Sequence, residues 1–180
     1  KVTEDDFDKS MPVDQYGFAK YIMSKYAQNV DFITHLRSFA VYGKYEDYKI
    51  RFISEAICNV LLDKPIIINQ NVYFDYLYIN DFVQILDNFI GKKPKQIFYN
   101  VGRGETIDLI SIAKKILVLT GKNVPVIIKN AGLNKEYSGN IDRLKSEAKN
   151  LSFTDFDKSL TELIVYYQSI ASELNNGALI

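Results

Sequence analysis

Tyr16 and Lys20 lie four positions apart in "DQYGFAKYIMSKYAQN", residues 14–29. On a helix that spacing puts a phenol and an ammonium on one face, where both can address the same ligand. A free tyrosine, with a pKa of about 10, is a poor base at neutral pH, and a nearby cation favours its phenolate. Such a pair can move a proton to or from a substrate hydroxyl. The pattern is not unique. Tyr21 with Lys25 and Tyr45 with Lys49 repeat it, and a chain with 13 tyrosines produces such coincidences. Spacing alone leaves all three pairs open. One histidine and one cysteine provide no metal-ligand cluster, so no metal is expected.

The elements that must position these residues alternate between two periods. Asp14 is a fair N-cap for a helix over 15–29. Residues 31–43, "DFITHLRSFAVYG", have the apolar and β-branched content of one buried strand ended by Gly43. Residues 45–64 read as a helix with Ile50, Ile53, Ile57 and Leu61 at helical spacing. "PIIIN" and "VYFDYLYI" read as strands. A helix over 80–92 follows, capped by Asn80 or Asp81, with Phe82, Ile85, Leu86 and Phe89 on one face. "QIFYNVG" is a strand, residues 104–122 a helix closed by Gly121, and "VPVIIK" a strand. Helical patterns at 140–150 and 154–174 complete the chain. Strands alternating with helices predict an α/β architecture with parallel pairing at its centre.

At 180 residues the chain has room for one domain with a sizeable core. Twenty-two basic and 22 acidic side chains balance, so no nucleic-acid or membrane partner is expected. No apolar run approaches the roughly 20 residues that cross a bilayer. The lone Cys58 excludes an internal disulfide and fits a reducing cytoplasm. The chain opens without methionine on the loop-like "KVTEDDFDKSMP", which points to a piece of something longer.

The order of the short motifs says more than any one of them. "PVDQYGFAK" from Pro12 is followed by "LRSFAVYG" at 36–43, "RFISEAI" at 51–57 and "KPIII" from Lys64. Then come "FDYLYINDFVQIL" at 74–86 and "YNVGRGETIDL" at 99–109. This series resembles the C-terminal half of an extended short-chain dehydrogenase/reductase, the group of NAD-dependent epimerases, dehydratases and reductases acting on sugar nucleotides. The likeness extends to "LSFTDFDKSLTELIVYY". It implies the C-terminal part of a Rossmann-like parallel sheet with helices, plus a small substrate-binding lobe. Residues 1–180 are then a single unit lacking the N-terminal dinucleotide-binding strands. It further implies NAD or NADP as cofactor, a nucleotide-sugar substrate, a homodimer, and a cytoplasmic role in supplying surface-polysaccharide sugars.

The resemblance also selects among the three pairs. The family's helix must finish before the "LR" strand, and Tyr16 with Lys20 leaves about two and a half further turns. Tyr16 is then the proton-transfer residue, and Lys20 favours its phenolate and holds the nicotinamide ribose. Phe39 and Val41 are implied cofactor neighbours, and Ala40 a substrate neighbour, although many relatives carry asparagine in its place. Arg51 stands where a basic residue often meets the diphosphate, and a guanidinium suits bidentate phosphate binding. Asn100 and Arg103, in the glycine-bearing "NVGRGET" loop, are candidate substrate contacts beside a helix N-terminus. Arg37 is expected to be structural, Asp75 to serve a nearby turn, and His35 to be packed or at an edge. Phe74 departs from the family, which commonly has a phosphate-clamping arginine there.

Absent are a strand followed by G-x-x-G-x-x-G and the serine or threonine of the proton relay. These 180 residues alone are therefore expected neither to bind NAD tightly nor to turn over. A non-catalytic nucleotide- or partner-binding relative of the same fold is the alternative, and an inactive structural fragment a third. Without its sheet neighbours the Tyr16 helix should expose apolar surface.

Overall fold

The computed structural model describes residues 1–148 and 150–172. Helix α1 (Gln15–Ala27) opens with the Asp14 carboxylate accepting the Gly17 N–H at 2.7 Å. This is the N-cap its sequence predicts. The buried strand expected over 31–43 is instead two strands, β1 (His35–Ser38) and β2 (Ala40–Tyr42), that pair with different partners. β1 lies parallel to β6 (Phe98–Val101), and β2 parallel to β5 (Tyr76–Tyr78). The change of partner falls at Phe39, whose N–H still reaches Val101 O at 3.2 Å. The next N–H, of Ala40, goes to Asp75 O at 3.3 Å. Gly139 makes the swing possible: a Cβ there would sit 2.2 Å from the Phe39 ring.

Helix α2 (Phe52–Leu61) begins seven residues later than its apolar spacing predicts, and Ile50 is exposed rather than on the helix face. Asp47 explains the delay. Its carboxylate accepts the Lys49 N–H at 3.0 Å and its carbonyl accepts those of Ile50 and Arg51, so the chain closes a turn before it can start a helix. β3 (Ile66–Asn71) lies parallel to β8 (Val126–Leu133), and the short β4 (Tyr73–Phe74) antiparallel to β7 (Ile107–Asp108).

Helix α3 (Ile79–Asp87) is not capped by Asn80 or Asp81, because Tyr78 occupies the cap position. The Asp81 carboxylate is buried and accepts the Thr154 N–H and hydroxyl at 3.0 and 2.6 Å. Helix α4 (Leu109–Thr120) starts later than the glycine at 104. The Asp108 side chain takes the Ile110 and Ser111 N–H groups at 3.1 Å and sets the start. Gly121 ends it in the left-handed region at φ 65°, as its sequence predicts. α5 (Asp142–Glu147) and α6 (Phe156–Ser169) follow. Lys149, Glu173 and Leu174, which the helical patterns included, lie outside the described residues.

Two cores hold these pieces. In the larger, α2, α4 and α6 pack on β3 through Ile53, Ile57, Ile68, Ile112, Ile116, Leu160 and Leu163. In the smaller, Leu77, Ile85, Val101, Ile141 and Leu144 join α3, α5, β5 and β6. Mixed α/β layers with parallel pairs at the centre are the architecture the alternating pattern called for. No helix among the described residues is long and apolar enough to cross a membrane.

Candidate functional site

The three tyrosine–lysine pairs have different surroundings. Tyr21 and Lys25 both bind Asp8, the hydroxyl at 3.0 Å and the ammonium at 2.6 Å. Tyr45 and Lys49 lie in the loop before α2, where Tyr45 has a φ of 69° and packs against Tyr166. Tyr16 is 76% exposed on α1, with Lys20 Nζ 5.4 Å from its ring centroid. α1 is anchored through one stripe. Tyr21, Ser24 and Ala27 face the body, and the Ser24 hydroxyl meets His35 Nδ1 at 3.1 Å. Desolvation holds the half-buried His35 imidazole below its ordinary pKa range.

Tyr16 looks into a cleft of about 990 Å³. Ala40, Phe39 and Val41 of the β1–β2 switch line it, as does Arg51. The structure therefore brings Tyr16, Phe39, Ala40, Val41 and Arg51 to one cavity, with Lys20 beside Tyr16 but outside the lining. It does not bring Asn100 or Arg103 there. Asn100 is buried, and its amide donates to the carbonyls of Val2 and Asn140 at 3.1 and 3.2 Å. Arg103 donates from Nη1 to Thr154 O at 2.6 Å and from Nε to Glu105 at 3.4 Å.

Asp75 accounts for the glycine-bearing loop. Its fully buried carboxylate accepts the N–H groups of Arg103 and Gly104 at 2.7 and 2.9 Å. A Cβ at position 102 would fall 2.5 Å from that carboxylate, so glycine is what lets the loop close over it. Burial pushes the Asp75 carboxyl above the ordinary aspartate range. The loop's donors are thus spent on the fold, which is the turn role expected of Asp75. Arg37 is structural too: its guanidinium lies 4.3 and 4.2 Å from the Phe7 and Phe98 ring centroids.

Several lining residues, Tyr42, Tyr76 and Tyr137 among them, carried no signal in the sequence. Phe39, Tyr137, Phe74, Tyr76 and Tyr42 form a continuous run of rings with centroids 5.3, 5.7, 5.3 and 5.9 Å apart. Phe74 is one of its links, so its apolar ring has a place in the cleft wall. Asn69, Gln70, Asn130 and Asn134 add amides, and Glu46 a carboxylate. Arg51 is the one lysine or arginine among the described lining residues, and its guanidinium makes no hydrogen bond or ion pair with any described residue. Neighbours hundreds of atoms apart along the chain create this wall, and no local spacing announces it. Among the described residues no group of three or more His, Cys, Asp or Glu side chains could hold a metal.

Parallel strand pairs covered by helices, with Tyr16 of α1 at a cleft beside the β1–β2 switch, define a Rossmann-like α/β fold. Residues 2–102 match the model of the NAD dependent epimerase/dehydratase family, and the chain belongs to that family. It is 26% identical over 126 residues to an ADP-L-glycero-D-manno-heptose-6-epimerase of Brachyspira hyodysenteriae, a match covering 63% of this chain and 40% of that one. Among solved structures, MoeE5 in complex with UDP-glucuronic acid and NAD superposes with a TM-score of 0.77 at 20% identity, over 93% of this chain and 59% of that one. UDP-glucuronic acid 4-epimerase from Bacillus cereus in complex with NAD gives 0.74 at 19%, over 94% and 56%. These likenesses fix the fold. The chain spans well under two thirds of the length of each relative.

Proposed function

We propose that the chain forms the catalytic-helix and substrate side of an NAD(P)-dependent epimerase, dehydratase or reductase acting on a nucleotide sugar. The observation that carries this reading is one cleft lined by both Tyr16 and Arg51, whose guanidinium has no ion-pair partner among the described residues. The Tyr16 hydroxyl takes the proton of a sugar hydroxyl in one direction and returns it in the other. Lys20, with its Nζ 5.4 Å from the ring centroid, offers donors for ribose hydroxyls. When bound, the nicotinamide supplies the hydride acceptor or donor. The exposed, unobstructed Tyr16–Lys20 face fits such a group. Phe39 and Val41 flank it, Ala40 meets the sugar, and Arg51 seats the diphosphate. The homodimer and the cytoplasmic location belong to this reading. The exposed Phe18–Ile22–Tyr26 stripe of α1, repeating every fourth residue, supports the first.

We place the remainder of the cofactor seat outside these 180 residues, so the chain alone binds NAD weakly and does not turn over. The matched relatives, of which this chain spans 40 to 59%, support that placement. Calorimetric titration tests the reading. UDP-glucose should bind, Arg51→Ala should weaken UDP-glucose and UDP alike by tenfold or more, and Tyr16→Phe should weaken UDP-glucose alone. Unchanged UDP-glucose affinity in Tyr16→Phe would sink the catalytic role and favour a non-catalytic nucleotide-binding relative. Tight stoichiometric NAD binding would sink the incomplete-seat claim.

A further inference from the structure

The aromatic run gives the cleft a direction. At one end Phe39 packs on Tyr137, which lies within electrostatic reach of Tyr16. At the other, the Tyr76 hydroxyl feels the charges of both Glu46 and Arg51. Phe39 and Tyr76 are three ring-to-ring steps apart. A ligand whose hexose meets Tyr16 therefore presents its nucleotide half to Glu46 and Arg51.

Glu46 is held, not loose. Tyr45 adopts φ 69°, a left-handed conformation that is costly for a bulky residue, and the chain reverses there to bring Glu46 to the cleft. Its Oε1 accepts the hydroxyl proton of Ser54, a fully buried residue on α2. That leaves acceptor capacity on the carboxylate, which has about four lone-pair sites. Glu46 and Arg51 lie close enough for their charges to interact yet form no ion pair. An acceptor of negative charge repels phosphate, so the phosphates belong to Arg51. What adjoins the phosphates of a nucleoside diphosphate and carries donors is the ribose, with its 2′ and 3′ hydroxyls.

We propose that Glu46 is a specificity-determining residue that accepts a hydrogen bond from the ribose hydroxyls of the nucleotide whose phosphates Arg51 seats. The assignment rests on the nucleotide-sugar reading of this cleft and adds to it a preference for ribo- over deoxyribonucleotides. Burial raises the Glu46 carboxyl above the ordinary glutamate range. The preference should accordingly weaken on mild acidification, as the acceptor is protonated.

The test compares UDP with 2′,3′-dideoxy-UDP by calorimetry on the unmodified chain, so no variant need fold. Hydrogen bonds to a charged group predict about a tenfold to hundredfold preference for UDP. In Glu46→Gln, an isosteric change that keeps an acceptor for Ser54, the preference should fall below about threefold, while dideoxy-UDP affinity stays the same or improves. Equal binding of the two ligands to the unmodified chain overturns the assignment. So does a Glu46→Gln variant that loses both ligands equally, because the effect then lies in the fold of the loop. Arg51→Ala separates the layers. If it abolishes UDP binding while the dideoxy comparison is flat, the nucleotide seat stands and only the ribose contact falls. If UDP does not bind at millimolar concentration, both fall.

Discussion

α1 and α2 are neighbouring helices of similar length with opposite relations to the rest of the molecule. α2 is wrapped: Ile53, Ile57, Cys58 and Val60 are buried between α4, α6 and β3. α1 touches the body along one stripe, and Tyr16, Phe18, Ile22, Met23 and Tyr26 stay exposed. The difference separates two jobs. The α2 region is the packed centre of the larger core. The α1 face is where chemistry and association are proposed, and it contributes little to the fold it is displayed on. Apolar side chains at helical spacing occur on both, so amphipathicity alone does not say whether a face is core or contact surface.

The comparison is sharpest where the two regions respond differently to substitution. Ile57→Ala, in the wrapped region, should lower unfolding free energy by about 2–5 kcal/mol in urea titration. A loss under about 1 kcal/mol would mean α2 is not the packed centre. Asp75→Ala strands the buried N–H groups of Arg103 and Gly104, for a loss of about 1–3 kcal/mol. Its signature is earlier amide exchange at residues 102–104 than at α4. Uniform exchange would argue that the loop is held by something else.

Glu46→Gln reports on pH. Burial raises the folded-state pKa of Glu46 above its unfolded value, so its contribution is fully present below the unfolded pKa and lost as pH rises through the folded one. The glutamine variant, uncharged throughout, should therefore melt higher than the unmodified chain at neutral pH, and the gap should close in acid. A gap that widens in acid would reverse the sign. The smallest effect belongs to α1. Tyr16→Phe should change stability by no more than about 0.5 kcal/mol, because the side chain is 76% exposed. A larger change would make Tyr16 part of the fold and not of an open site.

What could be read from the residues follows the same division. The caps at Asp14 and Gly121 and the alternation of strand and helix are local signals, and they were legible. The split at Phe39 was not, because it depends on Gly139, a hundred residues away. The late start of α2 needed the Asp47 turn to outweigh a good apolar period. Asn100 and Arg103 looked like ligand contacts because their loop holds glycines beside a helix start. Its backbone donors are taken by Asp75, and only the tertiary fold shows that. Arg51 could be proposed from its place in the motif series, whereas Glu46 needed the turn at Tyr45 to be seen.

A crystal structure of the chain grown with UDP-glucose examines the central claim most directly. The hexose is expected within hydrogen-bond distance of the Tyr16 hydroxyl, with the diphosphate on the Arg51 guanidinium beside Tyr76. A nucleotide sugar bound the opposite way round, or outside this cleft, would contradict it.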